Sequence, residues 1–390
     1  MKLMKIGIDK IGFATSDLYL DMVDLANARH EDPNKYLIGI GQSKMAVIRP
    51  TQDVVTMAAA AAKKIICQED KEKISYVIFA TESGVDNSKS AAIYLADLLG
   101  LKLNIRTIEV KQACYGATAA LQLAKGYVAL NPESKVLVIG ADNARYGVKT
   151  PGEPTQGGGA IAMIIGSDPK ILELENETSA YAKNIMDFWR PLGHSKALVD
   201  GKYSSGVYLD FLKNVWDEQL KRTNYQLQDY GALLFHLPYT KMGLKGLRQI
   251  LQDATAEDST RLIREFEYAR QFNCEVGNLY TGSLYLSFLS LLVNSTSIKS
   301  GDRIGFFSYG SGAQAEFFTG ILQPDYQKGL AGVDYWAILN KRQSVSVIEY
   351  EDLFERHVFD IENIELDYQA DKSAFLLAGI HNYKRKYLSR

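Results

Sequence analysis

A single cysteine, Cys114, lies where an apolar stretch gives way to the alanine-rich sequence KQACYGATAALQLAKGYVAL, residues 111–130. The residues around Cys114 are small, and a neighbour such as Gly116 lets a substrate or another backbone come close. A thiol at the N-terminus of a helix faces the positive end of the helix dipole, which favours the nucleophilic thiolate. The same pattern is also typical of a buried core cysteine, since free cysteine is among the most buried residue types. Cys114 alone therefore leaves two interpretations open, a nucleophile and a core residue.

Other side chains that could do chemistry also follow apolar, strand-like runs. Glu82 follows SYVIFA, Asp142 follows KVLVIGA and His236 follows YGALLF. Asn278 and Ser311 stand at glycine-containing turns later in the chain. Each has an ordinary interpretation by itself, as a solvated loop glutamate, a core histidine or a turn residue. Because ligands collect at the carboxyl ends of parallel strands, we treat these residues as one candidate set.

The elements that must position these residues alternate between strands and helices in the first half of the chain. The sequence predicts strands at 4–9, 75–80, 105–110 and 135–140, and helices at 17–28, 51–67, 88–99 and after Cys114. Ser16 or Asp17 is expected to cap the first helix and Thr51 the second. This alternation indicates an α/β protein with mostly parallel strands.

The second half of the chain repeats this plan more weakly. The predicted elements are a strand at 230–235, a helix at about 239–251, an apolar helix within 278–293 and a strand at 303–307. The segment at about 170–230 is less regular and carries several aromatic and charged residues, which predicts an insertion that shapes a pocket. We therefore predict two similar α/β halves, residues 1–168 and 169–390, with the insertion in the second half.

The bulk composition excludes several classes of protein. The chain has 390 residues, enough for two domain-sized halves. Its 44 basic and 46 acidic residues give a net charge of −2, so no nucleic-acid partner is expected. Three cysteines are too few for a disulfide scaffold and lack the close pairing of a zinc site. The N-terminal segment has no signal-peptide core, and the run 284–293 is too short to cross a membrane, so we expect a cytoplasmic protein with reduced thiols.

Longer motifs, in their order along the chain, resemble those of the 3-hydroxy-3-methylglutaryl-CoA synthase family of the bacterial type. They are TESGVDNSKS, KQACYGAT, GEPTQGGGA, DFWRP, FHLPYTKMGLK, GNLYTGS and SYGSGAQAEFF. The resemblance extends from about residue 4 to residue 385. It implies a thiolase-like fold, in which two βαβαβ-type halves stack as alternating α and β layers, and it implies a homodimer. It also implies that acetyl-CoA, acetoacetyl-CoA and water give 3-hydroxy-3-methylglutaryl-CoA and CoA, in the mevalonate route to isoprenoids.

The resemblance assigns the three central catalytic roles. Cys114 matches the nucleophile that holds the acetyl group as a thioester. Glu82 matches the general base that takes a proton from the acetyl methyl group, a task that suits a carboxylate whose pKa is raised by burial. His236 matches the acid that positions and protonates the acceptor oxygen. The resemblance also implies backbone N–H donors to the developing oxyanions at Cys114 and Ser311.

Other positions carry over as substrate contacts. Asn278 matches the residue that, with His236, orients the acetoacetyl group. The remaining predicted contacts are the acyl-pocket residues Tyr146, Thr155 and Asp187, and Lys241 and Lys245, which approach the phosphates or pantetheine of CoA. The two lysines, four residues apart on one helix face, could equally be a solvated pair. No role is assigned to Trp189 or Arg190, and neither a metal nor a separate cofactor is expected. Two departures from the family pattern, SKAL at 195–198 and Asn143, affect only the edge of the pocket.

Three alternatives remain open from the sequence. A β-ketoacyl-acyl-carrier-protein synthase of the third type shares the fold and uses Cys, His and Asn, but it needs no base such as Glu82, because decarboxylation supplies its carbanion. A polyketide β-branching synthase would use a carrier-bound acceptor, and the sequence discriminates it poorly. A non-catalytic protein of the same fold would have no reason to keep the set of Glu82, Cys114 and His236.

Overall fold

The computed structural model describes residues 4–390. In this part of the chain the strands have the following bounds: β1 Ile6–Ala14, β2 Leu18–Asp21, β3 Lys44–Val47, β4 Ile74–Ala80, β5 Arg106–Val110, β6 Lys135–Ala144, β7 Gly157–Ser167, β8 Leu172–Ala182, β9 Phe188–Trp189, β10 Leu198–Val199, β11 Tyr230–Phe235, β12 Arg303–Gly310, β13 Gln314–Leu322, β14 Gln343–Ser344, β15 Ile364–Glu365, β16 Phe375–His381 and β17 Lys384–Ser389.

The helices have these bounds: α1 Met22–Ala28, α2 Val54–Lys63, α3 Gln68–Lys73, α4 Ala91–Leu98, α5 Gly116–Leu130, α6 Gly201–Thr223, α7 Thr240–Ile250, α8 Ala256–Ala269, α9 Gln271–Val276, α10 Ser283–Asn294, α11 Tyr335–Asn340 and α12 Val347–Glu355. None of the described helices is long and apolar enough to cross a membrane.

Nine strands join in one mixed sheet, in the order β11-β12-β13-β8-β1-β7-β6-β4-β5. The sheet has two groups, which meet where Gly7 and Ile8 of β1 pair with Glu173 and Leu172 of β8. From this junction outward, the order β1-β7-β6-β4 in one group matches β8-β13-β12-β11 in the other, with the same strand directions. The structure therefore has the two similar halves that the sequence predicts, and β5 is an additional edge strand of the first. The division of the chain at residue 168 stays a prediction.

Helices cover both faces of each group. Buried residues of α5 and α10 form one apolar cluster with strands of both groups, so these two helices lie between the halves. A second cluster packs α2 and α4 on the outer face of the first group, and a third packs α6 and α7 on the outer face of the second. Alternating α and β layers result, as predicted.

The expectation of mostly parallel strands is wrong. Only three of the eight pairings in the large sheet are parallel: β4 with β5, β4 with β6, and β11 with β12. The chain returns from β6 to β7 and from β12 to β13 without a crossover helix, so β7 and β13 run antiparallel to their neighbours.

Several predicted boundaries also need correction. The first strand starts at Ile6, and the segment at 17–28 is β2 followed by α1, which Asp21 caps instead of Ser16 or Asp17. Helix α2 begins at Val54 with Asp53 as its N-cap, because the hydroxyl of Thr51 donates to Asp371 instead. The strands at 75–80 and 230–235 and the helix at 239–251 are confirmed to within one residue.

The predicted insertion at 170–230 is too wide. Strand β8, which pairs with both β1 and β13, joins the two halves, and α6 packs on β8 and β13. The sequence of β8 is polar because eight of its eleven residues are not buried, which makes it resemble a surface segment. Only residues 183–200 are irregular, with the two-residue strands β9 and β10 paired within them.

Candidate active site

Glu82 and Cys114 meet at the carboxyl ends of two neighbouring parallel strands. Glu82 is the second residue after β4, and Cys114 lies between β5 and α5. The thiol of Cys114 donates a hydrogen bond to Oε1 of Glu82, with the sulfur 3.0 Å from the oxygen. Ala113 has a φ of 45°, a left-handed conformation that turns the chain between the strand and the helix. The fold thus brings together the predicted nucleophile and the predicted base.

The electrostatics of this pair differ from the sequence expectation for Cys114. Burial, followed by the neighbouring Glu82, raises the pKa of the Cys114 thiol well above its usual value. The lowering expected from the helix dipole is therefore absent in the resting site, because burial and the Glu82 carboxylate both disfavour the thiolate. Burial, followed by the charge of Asp142, raises the pKa of Glu82 to about 8. Below that pH the pair is neutral, and Cys114 reacts only after it loses its proton.

Asp142 connects the Glu82 loop to the second half of the molecule. It lies within β6 and not after it, because that strand continues to Ala144. Its Oδ1 accepts hydrogen bonds from the hydroxyl of Thr81 at 3.0 Å and from the backbone N–H of Glu82 at 2.7 Å. Its Oδ2 accepts from the hydroxyl of Thr281 at 2.6 Å. Asp142 is fully buried, so these bonds fix the Glu82 backbone against the segment that carries Asn278.

His236 directly follows β11 and is 2% exposed. Its backbone N–H donates to the carbonyl of Phe307 at 2.8 Å, and its carbonyl accepts from the hydroxyl of Tyr208 at 2.8 Å. Burial lowers the pKa of the imidazole to about 3. His236 is therefore neutral near pH 7, so it offers an N–H donor and not an imidazolium.

Asn278, Tyr146 and Thr155 form a second group of contacts. The side-chain amide of Asn278 donates to the Tyr146 hydroxyl at 3.2 Å, and its backbone N–H donates to the Thr155 carbonyl at 3.3 Å. The hydroxyl of Thr155 bonds locally to Gly152, so Thr155 meets this group only through its backbone. Burial, followed by Cys114 and Glu82, raises the pKa of Tyr146, which is therefore a neutral phenol.

The turn that carries Ser311 packs against the segment of Cys114. A side chain at Gly310 would place its Cβ only 2.5 Å from the carbonyl oxygen of Gln112, so glycine permits this approach. The side-chain amide of Gln112 donates to the Ser311 carbonyl at 3.4 Å. The structure therefore brings the Ser311 turn beside the predicted nucleophile.

Asp187 supports that turn. One oxygen accepts from the backbone N–H of Gly312 at 2.9 Å, and the other accepts from the hydroxyls of Tyr309 at 2.7 Å and Ser204 at 3.0 Å. Asp187 is fully buried, and both of its oxygens are occupied. Asp187 thus lies behind the turn in the structure, and its predicted contact with the acyl group stays a prediction.

A cavity of about 1220 Å³ opens beside Glu82 and the segment of Cys114, and Glu82, Ala113 and Ser311 are among its lining residues. Trp189 and Arg190 also line it. Lys241 and Lys245 lie on α7 outside the residues that line this cavity, so the structure does not bring them to it. Their contact with CoA stays a prediction.

Several residues with important contacts in the structure have no role predicted from the sequence. The sequence places Asp142 only at a strand end, and it predicts no role for Thr281 or Arg190. Asp142 carried a usable signal, since a buried strand rarely contains an aspartate without a partner. The described residues contain no group of three or more His, Cys, Asp or Glu side chains that could hold a metal ion.

Comparisons with known proteins agree with this geometry. A family model described as the N terminal part of hydroxymethylglutaryl-coenzyme A synthase matches residues 3–170, and the corresponding C terminal model matches residues 265–388. A hydroxymethylglutaryl-CoA synthase of Enterococcus faecalis is 48% identical over 387 residues, which cover 98% of this chain and 100% of that protein.

More distant relatives and solved structures follow the same pattern. A polyketide biosynthesis 3-hydroxy-3-methylglutaryl-ACP synthase of Bacillus subtilis is 31% identical over 421 residues and covers 99% of each chain. A crystal structure of an HMG-CoA synthase complexed with CoA matches with a TM-score of 0.96 at 44% identity, covering 99% of this chain and 100% of that chain.

Proposed function

The chain belongs to the hydroxymethylglutaryl-CoA synthase family, and on that premise we propose how its residues perform the synthesis. Its fold is the thiolase-like fold that the sequence resemblance implied. The enzyme condenses acetyl-CoA with acetoacetyl-CoA and water and forms 3-hydroxy-3-methylglutaryl-CoA and CoA, a step of the mevalonate pathway. The observation that carries the proposed residue roles is the 3.0 Å hydrogen bond between Cys114 and Glu82 beside the large cavity.

In the first step Cys114 takes the acetyl group from acetyl-CoA. The carboxylate of Glu82 accepts the thiol proton, and the resulting thiolate attacks the thioester carbonyl. The tetrahedral intermediate then collapses with release of CoA, whose sulfur takes up the proton held by Glu82, so that Glu82 is again a carboxylate. The position of the thiol, already bonded to Glu82, supports this assignment.

In the second step Glu82 removes a proton from the acetyl group. On the acetylated enzyme the methyl carbon is two bonds from the sulfur of Cys114, so it comes within reach of the same carboxylate. The raised pKa of Glu82, about 8, makes it a stronger base than an exposed glutamate. The enolate that forms attacks the ketone carbon of acetoacetyl-CoA.

In the third step neutral His236 gives its N–H proton to the new alkoxide, which Asn278 helps to orient. The imidazole then regains the proton that Glu82 removed from the methyl group, so both side chains return to their starting states. A neutral imidazole supports this role, because its N–H can position the ketone before the bond forms. Water then hydrolyses the thioester to Cys114, and the product leaves with a new carboxylate. The backbone N–H groups of Cys114 and Ser311 are the proposed donors to the oxyanions, and such donors contribute about 2.7–4 kcal/mol each.

The substrates themselves supply CoA, and we propose no separate cofactor. Lys241 and Lys245 remain the proposed contacts of the CoA phosphates or pantetheine, and Tyr146 and Thr155 those of the acyl pocket. We place the reaction in the cytoplasm, because the proposed nucleophile requires a reduced thiol.

We also propose a homodimer. In the described chain β5 is an edge strand that pairs on one side only, with β4, and its Ile108 is 40% exposed. The unpaired N–H and C=O groups of an edge strand are ordinarily covered, and a second copy of β5 in antiparallel pairing would cover these. Sedimentation equilibrium of the purified protein gives the test: a mass of one chain at micromolar concentration would contradict the dimer.

The test of function is the loss of acetoacetyl-CoA, followed by the absorbance of its enolate with and without acetyl-CoA. We expect a loss that requires acetyl-CoA and is absent in Cys114→Ser, while Cys274→Ser, which changes a cysteine far along the chain, keeps the activity. If Cys114 becomes acetylated but acetoacetyl-CoA is not consumed, the acceptor is bound to a carrier protein, and a ketoacyl or β-branching synthase is the better assignment.

A further inference from the structure

The motif GEPTQGGGA contains two buried polar residues to which the proposed mechanism gives no role. Glu153 is 1% exposed and Gln156 is 3% exposed. Both lie in the connection from β6 to β7, just after Tyr146. Buried polar side chains are retained where their hydrogen bonds fix the surrounding structure, so the partners of these two residues are informative.

The side-chain amide of Gln156 holds the backbone at Tyr146. Its Oε1 accepts from the N–H groups of Tyr146 at 2.8 Å and Gly147 at 3.0 Å. Its Nε2 donates to the hydroxyl of Tyr350 at 2.7 Å. Two N–H donors require an acceptor, so the amide of Gln156 has one orientation here.

Tyr350 connects Gln156 to a buried ion pair. The Tyr350 hydroxyl donates to Glu153 at 3.1 Å. Arg29 binds the same carboxylate with two nitrogens, at 2.7 and 2.8 Å, and it also binds Glu351 at 2.7 Å. The side chain of Arg29 is 12% exposed and that of Glu153 is 2% exposed. A bidentate ion pair with little solvent around it is rigid. It ties the end of α1 to α12, and it thereby fixes the Tyr350 hydroxyl that accepts the hydrogen bond from Gln156.

Tyr146 has few other restraints. Its ring packs edge-on against Phe188 and Tyr280, each with a centroid distance of 6.0 Å, and its hydroxyl accepts the hydrogen bond from Asn278. Edge-on aromatic packing fixes the orientation of the ring. The position of the ring along its own plane is set by the backbone that carries it. The amide of Asn278 is held separately, because its Oδ1 accepts from the N–H of Tyr280 and the hydroxyl of Ser283, each at 2.8 Å. The two bonds from Gln156 fix the backbone that carries the Tyr146 ring, and so they set the Tyr146 hydroxyl opposite that amide.

We propose that Gln156, fixed by Tyr350 and the Arg29–Glu153 ion pair, is a positioning residue that sets the Tyr146 hydroxyl against Asn278 for the acetoacetyl acceptor. The inference rests on the proposed function, because Asn278 is the acceptor contact there. Cys114 and Glu82 are held by Asp142 and the Ser311 turn instead, so formation of the acetyl-enzyme does not depend on Gln156. Displacement of a positioned group by about 1 Å costs on the order of 100-fold in rate.

The test is Gln156→Leu, with two partial reactions measured separately on the full chain. We expect kcat/KM for acetoacetyl-CoA to fall about 10- to 100-fold, while hydrolysis of acetyl-CoA alone, read as thiol release, stays within about twofold. Gln219→Leu is the matched control, since Gln219 is a fully buried glutamine on α6 that bonds to Ser179 and the Glu177 carbonyl. We expect it to lower stability and to change neither partial reaction selectively.

Equal losses in both partial reactions of Gln156→Leu would overturn the proposal, because they indicate a general structural role. Tyr350→Phe keeps the shape of the side chain and removes only the hydroxyl, so it tests the same chain of bonds if Gln156→Leu fails to fold. It should lower the acetoacetyl-CoA reaction selectively, by about three- to tenfold, and an unchanged rate would also contradict the proposal. Failure of the proposed function is distinguishable, since the unmodified enzyme would then not consume acetoacetyl-CoA at all.

Discussion

The sulfur of Cys114 lies 3.0 Å from Oε1 of Glu82, and the thiol donates its hydrogen bond to that carboxylate. One carboxylate is thus next to two different acids in turn, first the thiol and then the methyl group of the acetyl thioester. Burial supports both tasks, because it raises the proton affinity of Glu82. The two tasks are not equally demanding, since a thiol is a far stronger acid than a thioester methyl group.

Glu82→Gln should separate these two tasks. The amide can still accept the thiol hydrogen bond but takes up no proton, so we expect condensation to fall by at least about 1,000-fold. Acetylation should persist at a reduced rate, because water can take the thiol proton. Mass spectrometry of the intact protein after incubation with acetyl-CoA measures acetylation, and enolate absorbance measures condensation. Normal condensation by this variant would show that Glu82 is not the base.

The pH dependence should follow the ionisation of Glu82. Its pKa is raised to about 8, and the carboxylate is the active form, so kcat/KM for acetyl-CoA should rise with pH to a plateau with a midpoint near 8. Arg190 acts in the opposite direction, because its positive charge lowers the pKa of Glu82. In Arg190→Met the midpoint therefore moves to higher pH, and the rate at pH 7 falls about three- to tenfold.

Recovery at high pH distinguishes this electrostatic effect from loss of substrate binding. The Arg190→Met variant should approach the parent rate on its alkaline plateau, whereas a lost binding contact would lower the rate at every pH. Arg222→Met serves as the matched control, since Arg222 pairs with Glu218 on the exposed side of α6. A midpoint that stays in place in Arg190→Met would refute the proposed influence on Glu82.

Asp187→Asn should disturb the turn at Ser311. The parent carboxylate accepts from Gly312 N–H, Tyr309 and Ser204, and an amide nitrogen in its place faces a donor. We expect kcat to fall on the order of 100-fold, because backbone N–H donors at this turn lose their alignment. KM for acetyl-CoA should change far less, which steady-state kinetics can measure. A large rise in KM with kcat unchanged would instead favour the acyl-pocket contact that the sequence predicted for Asp187.

The sequence predicted where several candidate residues lie because they follow recognisable buried strands. His236 comes directly after β11 and Glu82 is the second residue after β4, so these apolar runs point to both positions. The two similar halves are predicted from the same alternation, whereas their stacking into layers is predicted from the family resemblance. These features are local, and local patterns are what a single sequence records most clearly.

The sequence could not predict features that depend on distant partners. The raised pKa of Cys114 comes from its burial and, next, from a carboxylate 32 positions away, whereas the helix dipole gives the opposite expectation. Strand β8 looked like an insertion because its polar face carries residues such as Glu175, which pairs with Arg303. The antiparallel directions of β7 and β13 could not be predicted either, since strand direction is set by pairing across the sheet and not by composition.

Stability should depend on a buried ionic cluster at the other end of β6. Asp70 is 1% exposed and receives Lys10 at 2.6 Å and Lys135 at 2.7 Å. Burial alone would raise the pKa of Asp70, but hydrogen bonds from Cys67, Lys10 and Lys135 hold it well below its usual range. Asp70→Asn should therefore lower the free energy of unfolding at pH 7 by about 3 kcal/mol. Urea unfolding measures this difference.

The pH dependence of that loss provides its own check. Because the folded pKa of Asp70 is below the unfolded value of about 3.9, its contribution is present above that pH and lost as the pH falls toward the folded pKa. The difference between parent and Asp70→Asn should therefore shrink in acid. Asp217→Asn removes an exposed ion pair with Lys213 and should change stability by less than about 1 kcal/mol. Equal losses for the two variants would show that burial of Asp70 does not strengthen its ion pairs.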